Sequence, residues 1–67
     1  MKVYITQVER GLFKNKYSEL TIIEEWKSEF LPVKDDIIQI QSSHYKVLQR
    51  NLYYPVSIKL YVEKCAN

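Results

Sequence analysis

The sequence predicts a very small all-β domain, about five short antiparallel strands forming a barrel or roll. Three observations carry this. Apolar and polar residues alternate through Ile38 and Ile40, through Tyr45 and Val47, and through Ile58, Leu60 and Val62. A period of two places each set on one face of a strand. The runs are separated by turn-like pieces, Ser42-Ser43 and the stretch from Asn51 to Val56. Finally, the chain has nine aromatic residues, six of them tyrosine, which suit a packed β core because each ring buries a large area.

Taken in order, residues 2–8 form the first expected strand. Val3 and Ile5 lie on one face and Tyr4, Thr6 and Val8 on the other. Neither face is fully polar, which predicts a strand covered on both sides. Residues 9–18 follow as a hairpin connection. Gly11 and Asn15 serve as turn residues, and Phe13 and Tyr17 are expected to fold back over the core.

Residues 19–30 fit two patterns. As a strand, Leu20, Ile22, Trp26 and Phe30 share a parity, with a bulge expected near Glu24. As a helix, Ile22, Ile23, Trp26 and Phe30 form one stripe, with Ser18 or Thr21 as cap. The strand is preferred, because Phe30-Leu31-Pro32-Val33 leads straight into the next strand. Lys34-Asp35-Asp36 is read as a turn, Ser42-Ser43 as a two-residue hairpin loop, and residues 51–56 as a loop presenting Leu52, Tyr53 and Tyr54.

The stretch Phe30-Leu31-Pro32-Val33-Lys34-Asp35-Asp36-Ile37-Ile38, continuing to Tyr45-Lys46-Val47, resembles a pattern found in small uncharacterised bacterial and phage β-barrel proteins. That pattern is F-x-P-x-x-G-D-x-I, a short turn, then Y-x-V. The resemblance covers residues 28–64 and implies that Pro32 and the turn after it form a corner reversing the sheet. It implies no activity. Asp35 stands where the pattern has glycine. Aspartate tolerates a left-handed backbone better than most residues, so the turn is expected to survive.

Size and composition limit the remaining choices. Sixty-seven residues make a single domain, 1–67, close to the size at which burial only just offsets chain entropy. Cys65 is the one cysteine and His44 the one histidine, so neither an internal disulfide nor a Cys/His zinc site is available. No cofactor or metal is expected. No run approaches the roughly 18 apolar residues of a membrane span, no signal-peptide pattern opens the chain, and the lone cysteine suits a reducing compartment. The expected setting is therefore cytoplasmic, without a membrane partner.

Candidate sites are few. His44 lies near Asp35, Asp36, Ser42 and Ser43 in sequence, but so small a barrel leaves little room for a cleft, and no catalytic residue is assigned. Glu24-Glu25 and Asp35-Asp36 lack the spacing of a calcium loop. Charge is uneven: Lys2, Arg10, Lys14 and Lys16 against Glu9 give +3 over residues 1–17. Residues 18–36 carry −4 and residues 37–67 carry +3, for a net +2.

Two functions are consistent with this. The first is a non-enzymatic protein-binding module, set by the resemblance in an accessory or inhibitory role in a phage or mobile element. Its contact residues would be Arg50, Tyr53, Tyr54 and Tyr61 with an exposed edge strand, and a homodimer is one form of it. The second is a nucleic-acid-binding barrel. There Lys46 and Arg50 share a parity on one strand, Lys59 and Tyr61 on the next, and together they form a stacking and phosphate surface.

Overall fold

The computed structural model describes residues 1–53 and 57–66. They form five strands: β1 (Lys2–Glu9), β2 (Lys16–Ile23), β3 (Ile37–Ile40), β4 (Ser43–Tyr53) and β5 (Ser57–Lys64). The strands make one sheet in the order β2-β1-β5-β4-β3, curled into a half-barrel. Three neighbouring pairs are antiparallel, but β1 and β5 run parallel, with Val3 beside Ile58 and Ile5 beside Leu60. The sheet is therefore mixed, and the expected all-antiparallel ladder is corrected at its centre.

The alternation read from the sequence builds the core. Val3, Ile5, Tyr45, Val47, Ile58, Leu60 and Val62 are buried together on one face. Leu20, Ile23, Trp26, Leu31, Ile38 and Ile40 pack against them from the edges.

Residues 24–36 are neither helix nor strand. They cross from one edge of the sheet to the other, over the open side of the core. Trp26 anchors this crossing: its backbone N–H donates to the Met1 carbonyl at 2.7 Å, and its indole N–H donates to the Phe30 carbonyl at 3.1 Å. The strand predicted over 19–30 thus ends at Ile23, because Trp26 covers more apolar surface by folding inward than by extending an edge strand. Phe30, assigned to the apolar parity, is 81% exposed.

The turn read at Lys34-Asp35-Asp36 forms after Pro32. Pro32 is buried and Asp35 has φ 76°, in the left-handed region that favours glycine. The Asp36 N–H donates to the Val33 carbonyl at 3.0 Å, and Asp36 Oδ2 accepts the Val33 N–H at 2.9 Å. The turn then grips Val47 from both sides: Asp35 N–H to Val47 O at 2.8 Å, and Val47 N–H to Asp36 O at 2.9 Å. Asp35→Gly is expected to leave stability unchanged or raise it by up to about 1 kcal/mol, because the left-handed penalty disappears. The exposed Asp35–Lys46 pair at 3.7 Å that is lost weighs little. Asp36→Ala should cost about 1–2 kcal/mol, since a backbone donor loses its acceptor. Thermal denaturation of the two variants checks the opposite signs.

Two further expectations are corrected. The β3–β4 hairpin pairs Ile40 with Ser43, so its two-residue loop is Gln41-Ser42, one position earlier than predicted, with Gln41 at φ 55°. The early shift keeps Tyr45 opposite Ile38, both toward the core. Residues 10–15 form the β1–β2 connection, but Phe13 does not fold over the core, and Tyr17 lies in β2 itself.

Candidate functional site

The face opposite the core is set by two β-bulges. Where β1 meets β2, Ile5 pairs with Thr21 and Thr6 with Glu19, which leaves Leu20 as the extra residue. Where β4 meets β5, Val47 pairs with Val62 and Gln49 with Tyr61, leaving Leu48 over. Each bulge shifts the alternation by one, so residues of a single sequence parity end up on different faces. Opposed residues of a ladder share a face. Tyr17, Glu19 and Ile22 therefore join Tyr4, Thr6 and Val8, while Gln49, Asn51 and Tyr53 join Lys59, Tyr61 and Ser57.

The result is a face centred on Thr6, with Tyr4, Tyr17, Tyr53 and Tyr61 around it. Two open hollows, of about 580 and 570 Å³, lie side by side on this face and share Thr6, Tyr17 and Lys59. Arg10, Asn15, Leu48 and Gln49 extend the first, and Tyr4, Glu19, Tyr53 and Ser57 the second. The Tyr17 and Tyr61 rings meet edge to face at 6.0 Å, which holds both in place. Thr6 and Val8 are buried beneath these side chains, so β1 is covered on both sides as predicted, by tyrosines rather than by closure of a barrel.

The cations of this face are mostly engaged. Arg10 Nε lies 2.7 Å from Glu63, Lys46 lies 3.7 Å from Asp35, and Lys2 lies 3.6 Å from Glu24. The Tyr4 hydroxyl first, and Glu24 second, raise the Lys2 ammonium pKa above its ordinary value. Lys59 has no carboxylate within 4 Å among the described residues, and its ammonium sits 5.3 Å from the centre of the Tyr61 ring.

Measured against this geometry, the sequence-predicted residues divide. Tyr53, Tyr61, Lys46 and Lys59 share the tyrosine face. Arg50 does not: the Leu48 bulge pairs it with Leu60, on the core side of β4. The predicted surface joining Arg50 to Lys46 and Lys59 is thereby broken. Tyr53 ends β4 and is 49% exposed, whereas Tyr54 lies outside the described residues. Tyr4, Tyr17 and Glu19 were not assigned to a site. For Tyr4 a signal existed in its parity with Thr6 and Val8.

The residues near His44 have structural partners. Asp36 closes the Val33 turn, Asp35 sits beside Lys46, and among the described residues no hydrogen bond joins His44 to Ser42, Ser43 or either aspartate through its side chain. No known family, curated protein or solved structure matches this chain.

Proposed function

We propose that this protein is a non-enzymatic protein-binding module that makes contact through its tyrosine face. The observation that carries this reading is the ring of Tyr4, Tyr17, Tyr53 and Tyr61 around Thr6, over two adjoining open hollows that no other strand among the described residues covers. Tyrosine with Asn, Gln and Ser is the composition of adaptable binding surfaces. The rings supply area at low entropic cost, and the small polar groups supply hydrogen bonds. An accessory or inhibitory role fits a domain that offers a contact surface and no assigned chemistry.

A photo-crosslinking residue in place of Tyr61, introduced in the cells that make the protein, is expected to trap a partner chain. The same residue in place of exposed Phe30 should trap little. Equal trapping at both positions would overturn the proposal. Tyr53→Ala is expected to cut capture about tenfold while lowering stability by less than about 1 kcal/mol, because the ring is half exposed. Urea denaturation beside the crosslinking assay checks that pairing of effects.

Lys59 favours one other reading, single-stranded nucleic acid stacked on Tyr61 with a phosphate at the ammonium. It is the weaker one, because the other three cations of the face already have carboxylate neighbours. Anisotropy titrations with labelled oligonucleotides at two salt concentrations separate the readings: phosphate-driven binding weakens steeply as salt rises.

A further inference from the structure

The hairpin joining β1 and β2 ends in a knob for which the fold has no use. Leu12 and Phe13 are 98% and 100% exposed. Single exposed apolar side chains are ordinary, but two adjacent large ones that bury nothing lack an explanation within one chain. Their backbone is closely folded, since a Cβ on Gly11 would run into the Lys14 carbonyl oxygen. Residues 10–16 carry Arg10, Lys14 and Lys16 and no acid. The knob stands at the end of the tyrosine face where Arg10 and Asn15 line the first hollow. At the other end lies the second hollow, walled by Tyr4 and Tyr53, with Glu19 on its rim.

We propose that the tyrosine face receives a second copy of this chain, in a two-fold dimer where Leu12 and Phe13 of each copy fill the other's Tyr4–Tyr53 hollow. The proposal rests on the reading of that face as a contact surface and names its occupant. The topology allows it. The hairpin tip that carries Leu12 and Phe13 and the start of β1 that carries Tyr4 lie on opposite sides of Val8. A two-fold axis crossing the strands at Val8 and its partner Tyr17 therefore sets the knob end of each copy against the hollow end of the other. The same axis turns the basic tip of one copy, with Arg10, Lys14 and Lys16, toward the half of the other that bears Glu19, an acid that has no cation within 4 Å among the described residues. The exposed Leu12–Phe13 knob and the tyrosine hollow are covered by one contact, and a domain this small gains from a partner subunit.

Sedimentation equilibrium from low to high micromolar concentration tests this. The expected result is a reversible dimer, weakened about tenfold or more by the double substitution Leu12→Ser with Phe13→Ser, with an unchanged circular-dichroism spectrum. Tyr4→Ala with Tyr53→Ala should weaken it comparably. Lys14→Glu and Glu19→Lys should each weaken it alone, and an equimolar mixture of the two should regain affinity. A monomer at every concentration overturns the dimer but leaves a heterologous partner to be trapped at position 61. A dimer indifferent to the knob or to the tyrosines overturns this arrangement, and in the latter case the tyrosine-face reading as well.

Discussion

Leu60→Ala is expected to leave the domain largely unfolded at room temperature, or to bring its urea midpoint close to zero. Leu60 is fully buried at the centre of the sheet. It lies beside Ile5 across the parallel β1–β5 pair and opposite Arg50 on β4. Removing three carbons from such a site costs about 2–5 kcal/mol, the lost transfer energy plus the cavity left behind. At roughly 0.05–0.15 kcal/mol per residue, a chain of this length has only about 3–10 kcal/mol in total. The site has little freedom to collapse, because its neighbours are held in two ladders at once. Leu12→Ala, the same change at a 98% exposed side chain, should change stability by less than about 0.5 kcal/mol in dilute solution. A Leu60→Ala loss below about 1 kcal/mol would mean that the core does not sit where these seven residues place it.

The second large effect is expected at Trp26. Trp26→Ala should cost about 2–4 kcal/mol, somewhat below the loss for a fully buried tryptophan because this one is half-buried. Its ring packs against the core from outside the sheet, and its indole hydrogen bond to Phe30 holds the 24–36 crossing in shape. Trp26→Phe should recover more than half of the loss by restoring apolar cover without the indole donor. Denaturant titrations of both variants measure this, and amide exchange at Val47 adds a local readout. That amide is held by the Asp36 carbonyl at the far end of the same crossing, so loosening the lid should expose it to exchange. If Trp26→Ala changed stability by less than about 0.5 kcal/mol, the connection would be an idle loop and the core face would close by other means.

How much of this was legible in the sequence depends on whether neighbours along the chain or across it decide the outcome. Residue alternation by itself determined the all-β class, the core set from Val3 to Val62 and the buried second face of β1. Burial of one face is a local constraint, felt every two residues. The Asp35 turn was equally legible, since a left-handed position limits which residues can occupy it. Three things needed the tertiary structure. The parallel pairing of β1 with β5 joins strands nearly fifty residues apart, and no local pattern encodes direction. The path of residues 24–36 followed from the cover the core required, which pulled Trp26 inward and left Phe30 outside. Most consequential for function were the bulges at Leu20 and Leu48. Each is one extra residue against a partner strand, invisible until the register is known. Together they sent Arg50 to the core side and assembled Tyr17, Tyr53 and Tyr61 on a single face. The sequence supplied the tyrosines, and the register of the ladders decided that they would meet.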